Sequence, residues 1–339
     1  MKYYVLFLIA FCLSLIKIDL QAQDNFQVLF WNVENLFFPE DDSLKNDEEF
    51  TPDGDRHWSF YKYRSKLNLI WKTLYSAGVD APPEIIGLCE IENRKVLEDL
   101  FLYSPLKKYD YQIIHKESPD RRGIDVALMV RNGWVDSIHK KFIRADYPEL
   151  NGRPTRDILY AKLFKSGYCL HIFVNHWPSK YGGTGYTDIL RVRSADLLLS
   201  EIHKIRDINP EADIICMGDF NDIPESRAMQ VLSNQDSSGV SLHRLNYELI
   251  GMKGSLKYQG RWEFIDHFLV SEGLFRGNGY FGLIGKESMI YSPDFLLEED
   301  LKYGGMKPYR TFIGYKYNGG ISDHLPVIMG VMALPAVVW

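Results

Sequence analysis

The chain has 339 residues, is 46% hydrophobic and 25% charged, and carries a formal net charge of −6. That length suits one large α/β domain or two small ones. The acidic balance argues against a protein that coats nucleic acid non-specifically, although an enzyme can still gather basic groups in one cleft.

The first stretch, "MKYYVLFLIAFCLSLIKIDLQAQ", opens with Lys2 and stays apolar through Ile16. The run is shorter than the roughly 18 residues of a membrane span, and Leu20-Gln21-Ala22 puts a small residue where a signal peptidase cuts. Residues 1–22 therefore read as a secretory signal, with an apolar first helix as the plainer alternative. Phe11 before Cys12 is too large for lipoprotein processing. The expected product is exported, periplasmic or extracellular, with no stable membrane insertion after cleavage. Cys89, Cys169 and Cys216 remain, each in an apolar stretch; three cysteines build no disulfide framework, and all read as buried core thiols.

Residues 23–339 show no repeat, low-complexity tract or linker, so one domain is expected there. "FQVLFW" (26–31), "EIIGLC" (84–89), "IDVALMV" (124–130), "YCLHIFV" (168–174) and "DIICM" (213–217) read as short buried strands. "EFIDHFLV" (263–270) and "PVIMGVM" (326–332) read as two more. Between them, "YKYRSKLNLIWKTL" sets Leu67, Ile70, Trp71 and Leu74 on one helical face. "LRVRSADLLLSEIHKI" does the same with Ala195, Leu198, Leu199, Ile202 and Ile205. This alternation predicts α/β sheets covered by helices.

Polar groups gather at the downstream ends of four strands. "FQVLFW" runs into Asn32 and Glu34, "EIIGLC" into Glu90, "YCLHIFV" into Asn175 and His176, and "DIICM" into Asp219 and Asn221. Ligands of α/β sheets bind at such ends. Asp219 and Asn221 can accept and donate hydrogen bonds to one anion or water. The same pair also suits a turn before a helix starting near Pro224, with Asp222 as its N-cap. Glu90 alone reads as a surface glutamate opening a helix, and His176 alone as a hydrogen-bonded structural histidine. Asp266 within an apolar run needs a partner, and His324 in "ISDHLPVIM" offers an imidazole, leaving Asp323 free for a cation. Asn32, Glu90 and Asp323 form a set of hard oxygen ligands suited to Mg2+, Mn2+ or Ca2+. A histidine base beside a hard cation points to phosphate-ester hydrolysis.

In order, "FWNVENLF", "LCEIEN", "NHWPS", "MGDFND", "FIDHFLVS" and "SDHLPV" resemble the motifs of the endonuclease/exonuclease/phosphatase family, of which the pancreatic-type deoxyribonucleases are members. The likeness runs from about residue 26 to 333 and is that of a secreted bacterial member. It implies a four-layer α/β sandwich, two packed β-sheets flanked by helices, and a divalent metal, usually Mg2+. It also implies metal-site roles for Asn32, Glu90 and Asp323, and a catalytic dyad of Asp266 and His324. Asp219 and Asn221 would orient water and phosphate, and His176 would contact phosphate. His267 stands where many members have tyrosine; on an alternating strand it points away from Asp266.

Arg122, Arg156, Lys180 and Trp177 are the substrate-contact candidates, with Arg56, Arg191, Arg193, Trp58, Tyr181 and Tyr186 behind them; solvated charge and core packing are their plainer readings. The expected activity is a metal-dependent phosphodiesterase, a nuclease cutting DNA or RNA through a water activated by the His–Asp pair. Cations scattered over separate loops fit a polymer backbone better than one terminal phosphate. The alternatives are a lipid-headgroup, inositol-phosphate or small phosphoester hydrolase and, in another class, a non-catalytic binding module. No protein partner is inferred.

Overall fold

The computed structural model of the protein describes residues 25–180, 184–233, 241–248 and 254–334. The expected leader, Tyr181 and Gly182–Gly183 lie outside the described residues. Seven strands form the first sheet: β1 (Asn25–Leu36), β2 (Ile85–Ile91), β3 (Tyr111–His115), β4 (Asp125–Arg131), β10 (Asn246–Glu248), β14 (Phe281–Ile290) and β19 (Val327–Ala333), in the order β10-β14-β19-β1-β2-β4-β3. Six form the second: β5 (Ser137–Ile143), β6 (Ile158–Lys165), β7 (Tyr168–His176), β8 (Asp213–Asp219), β9 (Leu242–Arg244) and β13 (Asp266–Ser271), in the order β5-β6-β7-β8-β13-β9. Short pairs complete the chain order: β11 (Leu256–Tyr258) with β12 (Arg261–Glu263), β15 (Leu297–Glu299) with β16 (Met306–Pro308), and β17 (Phe312–Ile313) with β18 (Lys316–Tyr317).

Helices α1 (Phe60–Ala77) and α2 (Arg94–Leu102) pack with the first sheet; α3 (Thr184–Arg206) and α4 (Arg227–Ser233) cover the second. This is the expected sandwich. One apolar cluster joins the facing sides of both sheets, from Val28, Phe30 and Ile85 to Ile172, Ile215 and Phe268. The sheets close tightly: a Cβ added at Gly87 of β2 would lie 2.7 Å from Met217 Cε of β8. In α1, Leu67, Ile70 and Leu74 are buried, and the Ser59 side chain caps the first turn by accepting from Lys62 N. In α3, Ala195, Leu198 and Ile202 are buried, with Leu199 and Ile205 packed beside them.

All seven expected strands are present: β1, β7 and β8 run on by two or more residues, β2, β4 and β19 are shifted by one or two, and β13 starts three residues later than expected. Of the two large sheets, β3, β5, β6, β9, β10 and β14 were not expected. β5, "SIHKKFI", is an edge strand with mostly exposed residues, so it lacks the apolar run that marks a buried strand. Cys89 and Cys216 are buried free thiols as expected, whereas Cys169 near the start of β7 is only half-buried. Among the described residues no helix is long and apolar enough to cross a membrane.

Candidate active site

The site forms where strands from both sheets end, and local backbone irregularity aims its carboxylates. The β1–β2 register shifts between Asn32 and Leu36, and the β2–β4 register shifts between Cys89 and Ile91. Within these shifts Glu34, Asn35 and Glu90 adopt left-handed backbone, with φ of 49°, 54° and 60°. Asn221, after β8, does the same at 51°. Each such non-glycine residue costs on the order of 1 kcal/mol or more. A bulge re-aims side chains that a regular pleat would place elsewhere. Here the gain is a Glu90 carboxylate that accepts from Asn32 Nδ2 at 3.2 Å and from Asn35 N at 2.8 Å.

Asn32 bridges the sheets. Its Nδ2 also donates to Asp219 Oδ2 at 3.0 Å, and its Oδ1 accepts from Glu34 N at 2.9 Å. The side-chain oxygen expected to ligate a metal is thus held by a backbone N–H, and Asn32 presents its amide hydrogens to the two carboxylates. His176, paired in register with Asp219, sets Nε2 3.9 Å from Glu90 and 3.8 Å from Asp219. Burial, and then the Arg156 and Arg122 charges, hold His176 well below the usual imidazole value, so it is neutral. Its Nδ1 is buried without a hydrogen bond among the described residues. Burial pushes Asp219 up to about 7 against the pull of His324.

His324 Nδ1 lies 2.7 Å from Asp266 Oδ2, and both side chains are buried. Nε2 faces the site, 3.8 Å from Asp219 Oδ2 and 4.0 Å from Asp323 Oδ1. Burial alone would lower His324, but the Asp266 and Asp219 carboxylates overcome it and raise it well above 6.5. Ser255, which the sequence reading missed, donates to Asp266 Oδ2 at 2.6 Å and so fixes the orienting acid. Ser322 Oγ donates to Asn32 O at 2.7 Å and accepts from His324 N at 3.0 Å, tying the His324 loop to the end of β1. Ser322 opens the "SDHLPV" motif, whereas no sequence pattern announces Ser255. His267 points away: it is buried between Tyr247 Oη at 2.9 Å and Asp222 O at 3.0 Å, and burial lowers it to about 4.

Glu34 was visible on the strand end yet left out of the expected ligand set. It is buried; burial and the Asp323 charge push it up to about 7. Arg310 spans the two acids, 2.7 Å from Glu34 Oε1 and 3.1 Å from Asp323 Oδ2. Beneath them, buried Lys66 of α1 donates to Glu34 O and, at 2.7 Å, to Thr311 Oγ1.

The substrate contacts need correction. Trp177 is 1% exposed and packs edge-on against Phe220, so its ring is no stacking surface; its backbone O accepts from Arg156 and from Asn221 Nδ2. Arg156 is buried and bound to Asp120 at 3.2 Å, which makes it a strut. Arg122 and Lys180 are partly exposed, paired with Asp120 at 3.4 Å and Glu263 at 3.3 Å. Arg191 is fully buried against Asp222, Trp58 is core, and exposed Arg193 pairs with Glu149. Asp222 caps no helix; it receives Arg191, and α4 starts five residues later.

Two sets of three side chains have ligand atoms close enough to share an ion: Cys89, His176 and Asp219, and Asp219, Asp266 and His324. Burial first, then Asp219 and Glu90, push the Cys89 thiol well up, so it stays protonated and is no thiolate ligand. The donor chemistry around the bulges is hard oxygen: Glu34, Glu90 and Asp323, with Arg310 standing between two of them. Such a set fits Mg2+, Mn2+ or Ca2+ rather than a soft metal.

Fold and site together define an α/β sandwich with acids and a His–Asp pair gathered where both sheets end. The chain belongs to the endonuclease/exonuclease/phosphatase family, whose model matches residues 27–333. Solved structures agree on the fold. A family protein from Bacteroides thetaiotaomicron is 16% identical, with a TM-score of 0.56, covering 92% of this chain and 99% of that one. The human Nocturnin catalytic domain with bound sulfate gives 16% and 0.56, covering 92% and 98%. The B. thetaiotaomicron mannosyl-6-phosphatase Bt3783 gives 18% and 0.54, covering 90% and 99%. A search of the curated proteins finds no match.

Proposed function

We propose that the protein is an exported, divalent-metal-dependent phosphodiesterase that cuts nucleic acid. The observation that carries the hydrolytic chemistry is the Asp266–His324 pair, with Nδ1 tied at 2.7 Å and Nε2 left facing Asp219 and Asp323. Once the raised imidazole has given up its own proton, Nε2 takes a proton from a water while that water's oxygen attacks phosphorus and the bond to the leaving oxygen breaks. Asp266 holds the tautomer and balances the imidazolium that forms, as in other base–orienter pairs. Asp219, with Oδ1 anchored by Asn221 N at 2.9 Å, orients the water beside Nε2. Neutral His176 and the free amide hydrogen of Asn221 contact the phosphoryl oxygens. Glu90 and Asp323 would hold the cation; Asn32 supports them through its amide, and Glu34, engaged by Arg310 and Thr311 N, stands behind them. When bound, the cation withdraws charge from the phosphoryl and leaving oxygens.

Nucleic acid is preferred because Arg56, Arg122, Lys180 and Arg310 keep partly exposed cationic groups on separate loops, which suits a polyanion crossing the surface. A second reading, hydrolysis of a small phosphomonoester, is favoured by the mannosyl-6-phosphatase among the structural relatives. A panel of DNA, RNA, sphingomyelin, inositol phosphates and a sugar phosphate, assayed with Mg2+ and with chelator, separates them. Metal-dependent nucleotide release that falls as salt rises is expected. Phosphate release from monoesters with polynucleotides intact would install the second reading. Export rests on residues 1–22 and is tested by intact mass: protein from its native compartment should begin at Gln23.

A further inference from the structure

Next to the dyad, reached through Asp323, lies a small pocket of about 130 Å3 lined by Glu34, Asn35, Phe50, Arg56, Arg310 and Gly314, among others. Two guanidinium groups face it. Arg310 spends Nε and Nη2 on Glu34 Oε1 at 3.1 and 2.7 Å, and its Nη1 has no hydrogen bond among the described residues. Arg56 enters from the loop before α1, with Nε 3.0 Å from Glu49 and Nη1 donating to Gly314 O at 2.9 Å. Its guanidinium lies 4.8, 5.0 and 5.4 Å from the ring centroids of Phe50, Phe312 and Tyr315. Stacking and hydrogen bonding therefore hold the fork before any ligand arrives, which lowers the entropy lost on binding. The one carboxylate on the pocket wall, Glu34, is engaged by Arg310 and by Thr311 N at 2.9 Å. One oxygen of Asp323 lies 3.1 Å from Arg310 and the other 4.0 Å from His324 Nε2, so this carboxylate links a guanidinium of the pocket wall to the dyad.

We propose that this pocket is an anion subsite that holds, between Arg56 and Arg310, a second phosphoryl group of the substrate adjoining the phosphate being cut. Guanidinium forks match phosphate oxygens in geometry and charge, and the lining is predominantly polar. The inference rests on the phosphoesterase reading above and narrows it: the substrate carries two closely spaced phosphoryl groups. A polynucleotide backbone and a small bisphosphate share that chemistry.

The test is calorimetric binding to the full chain in a His324→Ala background, which separates affinity from turnover. The ligands are a short single-stranded oligonucleotide, a sugar bisphosphate and bis(p-nitrophenyl) phosphate, which has one phosphate. Adding Arg56→Gln should weaken at least one two-phosphate ligand tenfold or more relative to the one-phosphate ligand, and Arg56→Lys should recover part of that loss. For the oligonucleotide, the salt slope should also drop by about one phosphate contact, roughly 0.7 for a single strand. Loss confined to the oligonucleotide supports a polynucleotide as the source. Loss confined to the bisphosphate keeps the subsite and removes the nucleic-acid reading. Equal losses on one- and two-phosphate ligands, or none on any, overturn the subsite whether or not the wild-type enzyme hydrolyses the panel.

Discussion

At the residue scale, two histidines of one neighbourhood are driven in opposite directions. His324 faces Asp266 and Asp219 and is raised; His267, one position along β13 from Asp266, sees a tyrosine hydroxyl and a backbone carbonyl and is lowered to about 4. Replacing His324 by Ala should cut kcat by about two to four orders of magnitude, the range for losing general acid–base catalysis, with circular dichroism unchanged. For His267 the effect is on stability. The unfolded chain takes a proton near pH 6.5, while the folded one refuses it until about 4. Stability from this residue is therefore complete above 6.5 and falls as pH drops toward 4, by up to ~3 kcal/mol. Urea melts of wild type and His267→Gln should differ most at pH 7.5, and the gap should close at pH 4.5. A gap independent of pH would mean His267 is not held neutral.

At the element scale, the site depends on how β7 and β8 approach each other. His176 and Asp219 are register partners, and the pair before them is Asn175 and Gly218. A Cβ at Gly218 would lie 2.5 Å from Asn175 O and 2.6 Å from Asn175 Cβ, contacts that backbone cannot yield cheaply. Gly218→Ala should cost about 1–3 kcal/mol, the range for overpacking, and lower turnover by spreading His176 from Asp219. An unchanged melt would show that the strands have slack. This scale also marks where sequence reading worked. Central strands such as β2 and β8 are buried along most of their length and appear as unbroken apolar runs. Edge strand β5 and the long β14, whose pairing with β19 shifts between Ile284 and Met289, carry polar residues and bulges that hide the period.

At the scale of the whole molecule, the polar groups of the site come from both sheets and from the loop that precedes β19. Asn32 and Glu90 stand on the first sheet, His176, Asp219 and Asp266 on the second, and Asp323 and His324 between. Several carboxylates share a small volume, so a bound dication should hold the layers together. Mg2+ at about a hundred times its Kd should add ~2.7 kcal/mol of stability, read as a rise in Tm. Glu90→Gln, which keeps size and removes charge, should abolish most of that rise, measured against its own metal-free Tm because one of the hydrogen bonds from Asn32 Nδ2 and Asn35 N loses its acceptor. Equal Mg2+ shifts in both proteins would remove Glu90 from the metal site.

The sequence by itself determined the architecture and the identity of the dyad, because buried runs, strand-end acids and motif order are local properties of the chain. It also placed His267 on the far face, since a strand alternates sides with every residue. Only the tertiary structure decided which polar groups the site uses. Glu34 and Arg310 are 276 residues apart and meet through a bulge and a loop; Ser255 finds Asp266 by the same kind of encounter. Trp177 and Arg156 have residue types suited to substrate, but packing buries them. Burial and long-range charge depend on what the fold brings alongside, and no stretch of chain records that on its own.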